Sequence, residues 1–211
     1  MGRYLGPSCR QCRAEGVKLF LKGDRCHSPK CPISKRKGKP GKAPRARMQR
    51  VSDYGVQLRE KQKVKRMYGM FERQFRIFFT KAARERGVTG ENLIRMLEKR
   101  LDNIVYRLHF AASRKQARQL VSHGHILVNG RRVTIPSYLV READSIEVHD
   151  RAKRMTVIKD GLKEYSRSGV VPWLEVDPDG MVGTVKAIPL RGDIPDLGEV
   201  NEQLIVELYS K

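Results

Sequence analysis

Four cysteines stand in a spacing that suits metal chemistry: Cys9-x2-Cys12, thirteen residues, then Cys26-x4-Cys31. Two thiolate pairs joined by a short loop can close a tetrahedron around zinc. Zinc's filled d shell imposes no geometry of its own, and four thiolates leave no coordination position open for catalysis. The spacing therefore predicts a structural zinc held by Cys9, Cys12, Cys26 and Cys31, with an iron–sulfur cluster as the alternative. Disulfides fit less well, because the start of the chain has no apolar stretch of the kind an export signal needs. His27, next to Cys26, is read as a bystander. The segment carries few apolar residues, so bound metal would supply much of its folding energy.

The second chemistry is cationic. The chain of 211 residues holds 44 Lys+Arg against 23 Asp+Glu, a formal charge of +21. Such a chain repels itself unless it lies beside a polyanion, and nucleic acid or an anionic membrane would serve. No apolar run is long enough for a spanning helix, which leaves nucleic acid, with the cytosol as the default compartment. Residues 1–50 are net +13, residues 51–169 net +13 over a longer stretch, and residues 170–211 net −5. Residues 35–50 carry eight positive charges, no negative ones and little to bury, so the segment reads as an arm that orders on RNA. Its candidate contacts are Lys35, Arg36, Lys37, Arg45, Arg47 and Arg50. Further along, Arg114, Lys115 and Arg118 share one helix face beside Arg131 and Arg132 of a hairpin, a compact platform for phosphates. His123 and His125 flank Gly124 at the corner between them, where they are either RNA contacts or turn residues without a role. The acidic Asp193, Asp196, Glu199 and Glu202 suit a basic protein neighbour.

The elements that must position these groups follow from local signals. Ser52 or Asp53 caps a helix running to about Tyr68, with Gly69 as its stop and Arg59 and Lys61 on its exposed face. Phe71, Phe75, Phe78, Phe79 and Ala82 form the core stripe of a helix over about 71–86. A third helix starts at Thr89, and Leu93, Ile94, Leu97, Leu101, Ile104, Val105 and Leu108 continue its apolar face to about His109. Ser113 and Gln116 open a short helix as a capping box, and Gly124 ends it. Asn129-Gly130 marks a two-residue turn within a hairpin over 126–133. Strands are expected over 138–140, 145–148, 173–176 and 181–188, with a helix over about 151–166. The tail from Asn201 fits helix and strand periodicity equally well.

The run from Arg100-Leu-Asp-Asn through Ser113-Arg-Lys-Gln-Ala-Arg118 to Ile126-Leu-Val-Asn-Gly-Arg-Arg-Val133 resembles the RNA-binding module named after small-subunit ribosomal protein four. Arg3-Tyr-Leu-Gly-Pro-Ser-Cys-Arg-Gln-Cys12 is similar to the zinc-carrying bacterial members, as are Leu21-Lys-Gly-Asp-Arg-Cys26, Gln57-Leu-Arg-Glu-Lys-Gln62, Glu72-Arg-Gln-Phe75 and Val200-Asn-Glu-Gln-Leu-Ile-Val-Glu-Leu-Tyr-Ser-Lys211. Arg3 and Arg73, which lie in these segments, join the candidate RNA contacts. The resemblance implies an α+β fold. It has a zinc-bound basic extension (residues 1–50), a helical domain (51–90 with 189–211, the tail returning as a short helix) and an RNA-binding domain of antiparallel sheet with helices (91–188). It implies a ribosome-bound, cytoplasmic protein that binds small-subunit rRNA early in assembly, lies against small-subunit protein five, and meets messenger RNA where it enters the subunit. Residues 37–44 depart from the Pro-Pro-Gly-x-His-Gly pattern usual in that family's arm. No small-molecule substrate is expected. The rival readings are a free RNA chaperone and an RNA-modifying enzyme with the same module. Arg100-Leu101-Asp102 superficially matches a pseudouridine synthase motif, but too few residues follow the module for a catalytic domain, and the tripeptide reads as helix surface and core.

Overall fold

The computed structural model of the chain describes residues 2–41, 51–198 and 200–210. The chain divides into two compact units, Met1–Gly90 with Glu199–Lys211, and Glu91–Gly198. In the first, α1 (Ser8–Glu15) and α2 (Asp24–His27) carry cysteines, and α3 (Asp53–Met67) and α4 (Glu72–Arg84) form a helical pair. Ser52 caps α3, its Oγ accepting from the Gly55 N–H at 3.3 Å. Gly69, at φ +63°, provides the left-handed residue that lets the chain turn into α4. The α4 stripe begins one turn later than its periodicity suggests: Phe75, Phe78 and Ala82 are buried, but Phe71 precedes the helix and is 49% exposed.

α5 (Thr89–Glu98) begins at the boundary of the units, and α6 (Leu101–Arg107) follows it. The expected continuous helix is thus broken. Arg100 is extended and bridges Leu139, Leu101 N donates to Tyr138 O (2.8 Å), and Val140 N donates to Lys99 O (2.9 Å). Those groups exchange helical bonds for bonds to a distant segment, and the strand expected over 138–140 reduces to this single bridge. The second unit continues with α7 (Arg114–Ser122), β1 (Ile126–Val128), β2 (Arg131–Arg132), β3 (Ser145–Val148), α8 (Asp150–Lys153), α9 (Thr156–Ser168), β4 (Leu174–Asp177) and β5 (Val182–Val185). The helix expected over 151–166 is two, parted at Arg154 and Met155. Two 3-10 turns, Arg191–Asp193 and Pro195–Leu197, lead to α10 (Glu202–Tyr209), so the tail is helical as the resemblance implied.

The sheet is antiparallel throughout, in the order β2-β1-β3-β5-β4. Ile126, Val128, Ile146, Val148 and Val185 face a core shared with Leu101, Ile104, Val105, Leu108, Leu120 and Val121. The register sets the opposite face. Arg132 pairs with Leu127, Leu127 with Glu147, Glu147 with Val182 and Val182 with Asp177, so the charge on this face runs from cationic at β2 to anionic at β4. Mixed helices with an antiparallel sheet match the expected α+β class. Gly161 lets α9 lie against the chain: a Cβ there would come within 2.4 Å of the His109 carbonyl oxygen.

Candidate nucleic-acid interface

Cys9 and Cys12 lie on α1, Cys26 on α2, and Cys31 four residues beyond α2. Cys12, Cys26 and Cys31 are buried. Burial pushes the Cys12 and Cys26 thiols up, backbone N–H groups around Leu19 and Lys22 pull against it, and neighbouring cysteines add a further upward push. At Cys31 burial acts upward too, but backbone bonds from Ser34 and Ile33 bring the thiol below its ordinary value. The Lys22 N–H donates to Cys26 Sγ at 3.3 Å. Among the described residues no three Cys, His, Asp or Glu side chains are gathered as a metal site. The donor chemistry nevertheless fits zinc: four thiols within one another's electrostatic reach, three of them met by N–H donors that favour thiolate. His27 stacks on Phe20 with ring centroids 5.1 Å apart.

The candidate cations of this unit divide into two groups. Arg3, Lys35, Arg36, Lys37 and Arg73 are exposed. Arg59 is exposed as well, but shares the buried Glu15 carboxylate with Arg66, at 3.7 Å from Arg59. Burial raises the Glu15 carboxyl, and Arg66 and Arg59 oppose that shift. Lys61 sits 2.7 Å from Glu72, which also binds Lys65 (2.8 Å) and the Tyr209 hydroxyl (2.9 Å). Lys61 is thus engaged in fastening α10 to α4. Arg45, Arg47 and Arg50 lie outside the described residues.

In the second unit the structure corrects the reading of Arg114 and Arg118. Their helix face is buried, not exposed, and each side chain is about 7% exposed as a residue. Arg114 donates to Asn103 Oδ1 (2.8 Å) and Asp196 Oδ2 (2.8 Å), with its guanidinium over the Tyr106 ring. Arg107 grips Glu98 with two bonds of 3.0 Å and reaches Asp196 at 3.1 Å. Burial works against the Asp196 charge, but Arg114 and Arg107 hold its carboxyl below the ordinary value. A second group joins Arg100 to Asp102 through Nε (3.0 Å) and Nη2 (2.6 Å), and Arg118 to the same carboxylate at 3.3 Å. Arg100-Leu-Asp102 is therefore neither helix surface nor an accessible catalytic carboxylate, because all three residues are buried. These arginines hold the fold together where sequence spacing assigned them to phosphate. Asp196 is likewise corrected: it is spent inside the unit and does not reach outward. Asp193 accepts from the Leu190 N–H (3.2 Å), Glu202 is half-buried at the start of α10, and Glu199 lies outside the described residues.

The residues that do form an open cationic surface gather where α7 turns into β1. His125 N donates to Leu120 O (3.0 Å) and Gly124 N to Val121 O (2.9 Å), with Gly124 at φ +72°. This paired closure of a helix end places His123 and His125 on either side of the turn. Their rings stand 6.0 Å apart. Arg132 crosses the corner and donates from Nη2 to His123 O at 3.0 Å. A Cβ on Gly124 would fall 2.0 Å from Arg132 Nε, so the glycine also makes room for the guanidinium. His149, absent from the sequence reading, is drawn in by its N–H to His125 O (2.9 Å). Arg131 and Arg132 are exposed, and Lys115 is half-exposed on α7. Asn129, at φ +51°, does more than turn the hairpin, since its amide bonds both Asp144 (2.8 Å) and Ser145 N (2.9 Å).

Among the described residues no helix is long and apolar enough to cross a membrane. Residues 3–98 match the family described as ribosomal protein S4/S9 N-terminal domain, and residues 99–146 match the S4 domain. Over 211 residues, the whole of both chains, the sequence is 54% identical to the small ribosomal subunit protein uS4 of Trichlorobacter lovleyi and 53% identical to that of Thermus thermophilus. It is 55% identical over 212 residues to the protein of the same name from Syntrophomonas wolfei, again covering both chains entirely.

Proposed function

Because this chain belongs to the small ribosomal subunit protein uS4 family, we propose that it is a structural constituent of the small ribosomal subunit, not an enzyme, and that it binds small-subunit rRNA directly. The single observation that carries the reading is the identity with uS4 proteins across the whole of both chains. The physical case agrees with it. An A-form helix hides its bases in a deep, narrow groove, so a protein reads shape, phosphates and 2′-hydroxyls. The His123–Arg132 corner offers donors for phosphates, and the exposed Lys35, Arg36 and Lys37 add a sequence-independent attraction.

Finer assignments extend this reading. Early binding would help nucleate assembly of the subunit body. Small-subunit protein five would meet the acidic C-terminal surface, with Asp193 and Glu202 as its remaining candidates among the described residues. Messenger RNA would pass nearby where it enters the subunit, with consequences for accuracy. The protein would be cytoplasmic and ribosome-bound. Cys9, Cys12, Cys26 and Cys31 would hold a structural zinc, whose closed thiolate shell contributes folding energy and no catalytic chemistry. Metal analysis of the purified chain should then give one zinc per molecule, and chelation should collapse amide protection in residues 8–31 while leaving β1–β5 protected. Protection unchanged by chelation would remove zinc from the account.

The function is tested by binding the chain to small-subunit rRNA and to unrelated RNA of equal length across a salt series. Six to ten phosphate contacts weaken binding by about a thousand- to a hundred-thousand-fold between about 50 and 200 mM salt. An advantage for ribosomal RNA that persists at the higher salt supports the assignment. Equal binding and equal decline would leave a cationic RNA chaperone as the better description.

A further inference from the structure

We infer that the corner formed by His123, His125, His149 and Arg132 is a phosphodiester-binding subsite whose grip on RNA is coupled to proton uptake by His125. The inference rests on reading the chain as an RNA-binding protein, and it adds the chemistry of one contact and its regulation by pH.

Three elements and one connecting residue bring the groups together. His123 closes α7, His125 precedes β1, Arg132 comes from β2, and His149 sits between β3 and α8. The two outer rings, 6.0 Å apart, can straddle one phosphate and donate to different oxygens. Arg132 is already fixed beside them by its 3.0 Å bond to His123 O. His149 Nδ1 accepts from the Arg151 N–H at 3.3 Å, so Nε2 is the ring nitrogen that carries its proton and donates. His149 can therefore donate to a phosphate oxygen from Nε2.

The surroundings decide the direction of the coupling. His125 faces His123 from α7, Arg132 from β2 and His149 from the end of β3; all are cations or potential cations. Burial and these neighbours together hold its imidazole below the ordinary value of 6.5. Two acids lie nearby, and one of them, Asp150, also feels the His149 ring. Glu147 lies further along the same face beside Ser145 Oγ (3.3 Å), and the exposed Asp150 is paired with Lys153 (3.0 Å). Arg151 and Lys153 add positive charge from α8 and Arg131 from β2. His125 is therefore disfavoured as a cation when no anion is bound, because burial and its positive neighbours oppose the added charge. A phosphate placed between the rings reverses that balance and stabilises the imidazolium form. Binding then takes protons from solvent, and affinity must rise as pH falls.

The test is the affinity of the full chain for a small-subunit rRNA transcript and for unrelated RNA, at fixed ionic strength, between about pH 5.5 and 8. One proton taken up gives about a tenfold gain per pH unit between the free and bound values, so roughly tenfold tighter binding is expected at pH 6 than at pH 8. The double variant His123→Gln with His125→Gln should bind more weakly than the parent at every pH and show no gain between pH 8 and pH 6. His125→Lys should bind tightly at both pH values. Arg131→Gln, outside the corner, should weaken binding equally at every pH. A flat profile for the parent, or a slope that survives in the double variant, overturns the inference. Loss of preference for ribosomal RNA with the slope intact would instead sink the ribosomal reading and keep the corner.

Discussion

Arg114 and Arg131 are both arginines in a segment that resembles an RNA-binding module, yet they belong to different chemistry. Arg131 is exposed on a hairpin, whereas Arg114 is closed over by Asp196, Asn103 and the Tyr106 ring. Removing one partner of a buried pair costs far more than losing a surface charge, because the other charge stays desolvated. Arg114→Ala should therefore destabilise the second unit by about 3 kcal/mol, seen as a lower urea midpoint. At temperatures where it stays folded it should lose little RNA affinity. Arg131→Gln should do the reverse, with an unchanged midpoint and weaker binding. If Arg114→Ala kept the midpoint and lost RNA binding, Arg114 would return to the interface. The sequence could not separate the two, because Asp196 is 82 residues from Arg114 and no local pattern announces it. His149 escaped notice for the same reason: only the strand pairing carries it to His125.

At the level of elements, what was legible was local. Ser52 and Ser113 cap their helices, and Asn129-Gly130 and Gly124 turn the chain, as their chemistry suggests. The bonds from Asn129 to Asp144 and Ser145 were not legible, nor was the room that Gly124 leaves for Arg132. The break between α5 and α6 was not legible, because the apolar face runs through it from Leu93 to Leu108. Its cause is the exchange of backbone bonds with residues 136–140, which leaves no trace in periodicity. Gly161 was visible as a weak point in a helix, but its reason was not. A methyl group there would press on the His109 carbonyl, so Gly161→Ala should lower stability by about 1–3 kcal/mol despite alanine's better helix propensity. A thermal melt that rose would show that the close approach relaxes at no cost. The docking of α10 depends on Glu72. Burial pushes its carboxyl up, but Lys61, Lys65 and Tyr209 bond to it and hold it at about 2, down from 4.5. A depressed carboxyl stabilises in full above its unfolded value and loses that contribution as pH falls toward the folded one. Amide exchange in α10 should therefore accelerate between about pH 4.5 and 2. Glu72→Gln should exchange faster at neutral pH and show little further change in that window. A parent chain with flat exchange would detach Glu72 from the docking.

Across the whole molecule, the second unit is inserted into the sequence of the first: residues 91–198 separate α3 and α4 from α10, their partner. Gln57 of α3 binds Glu207 (2.9 Å), and Tyr209 stacks on Phe79 (4.3 Å), so the last helix completes a core begun some 150 residues earlier. A chain comprising residues 1–198 should keep amide protection in β1–β5 and lose much of it in α3 and α4. Equal protection in both forms would make α10 an ornament. The arrangement also bears on the order of events during synthesis. Domains generally fold as units while the chain emerges, the N-terminal one first. Here the unit that starts first finishes last, because α10 is translated after the whole of the sheet. A nascent chain that stops short of Glu202 would hold a folded His123–Arg132 corner while its helical unit is still unfinished. The pace at which the helical unit closes is thus set by elongation through the sheet and into α10, not by its own early start.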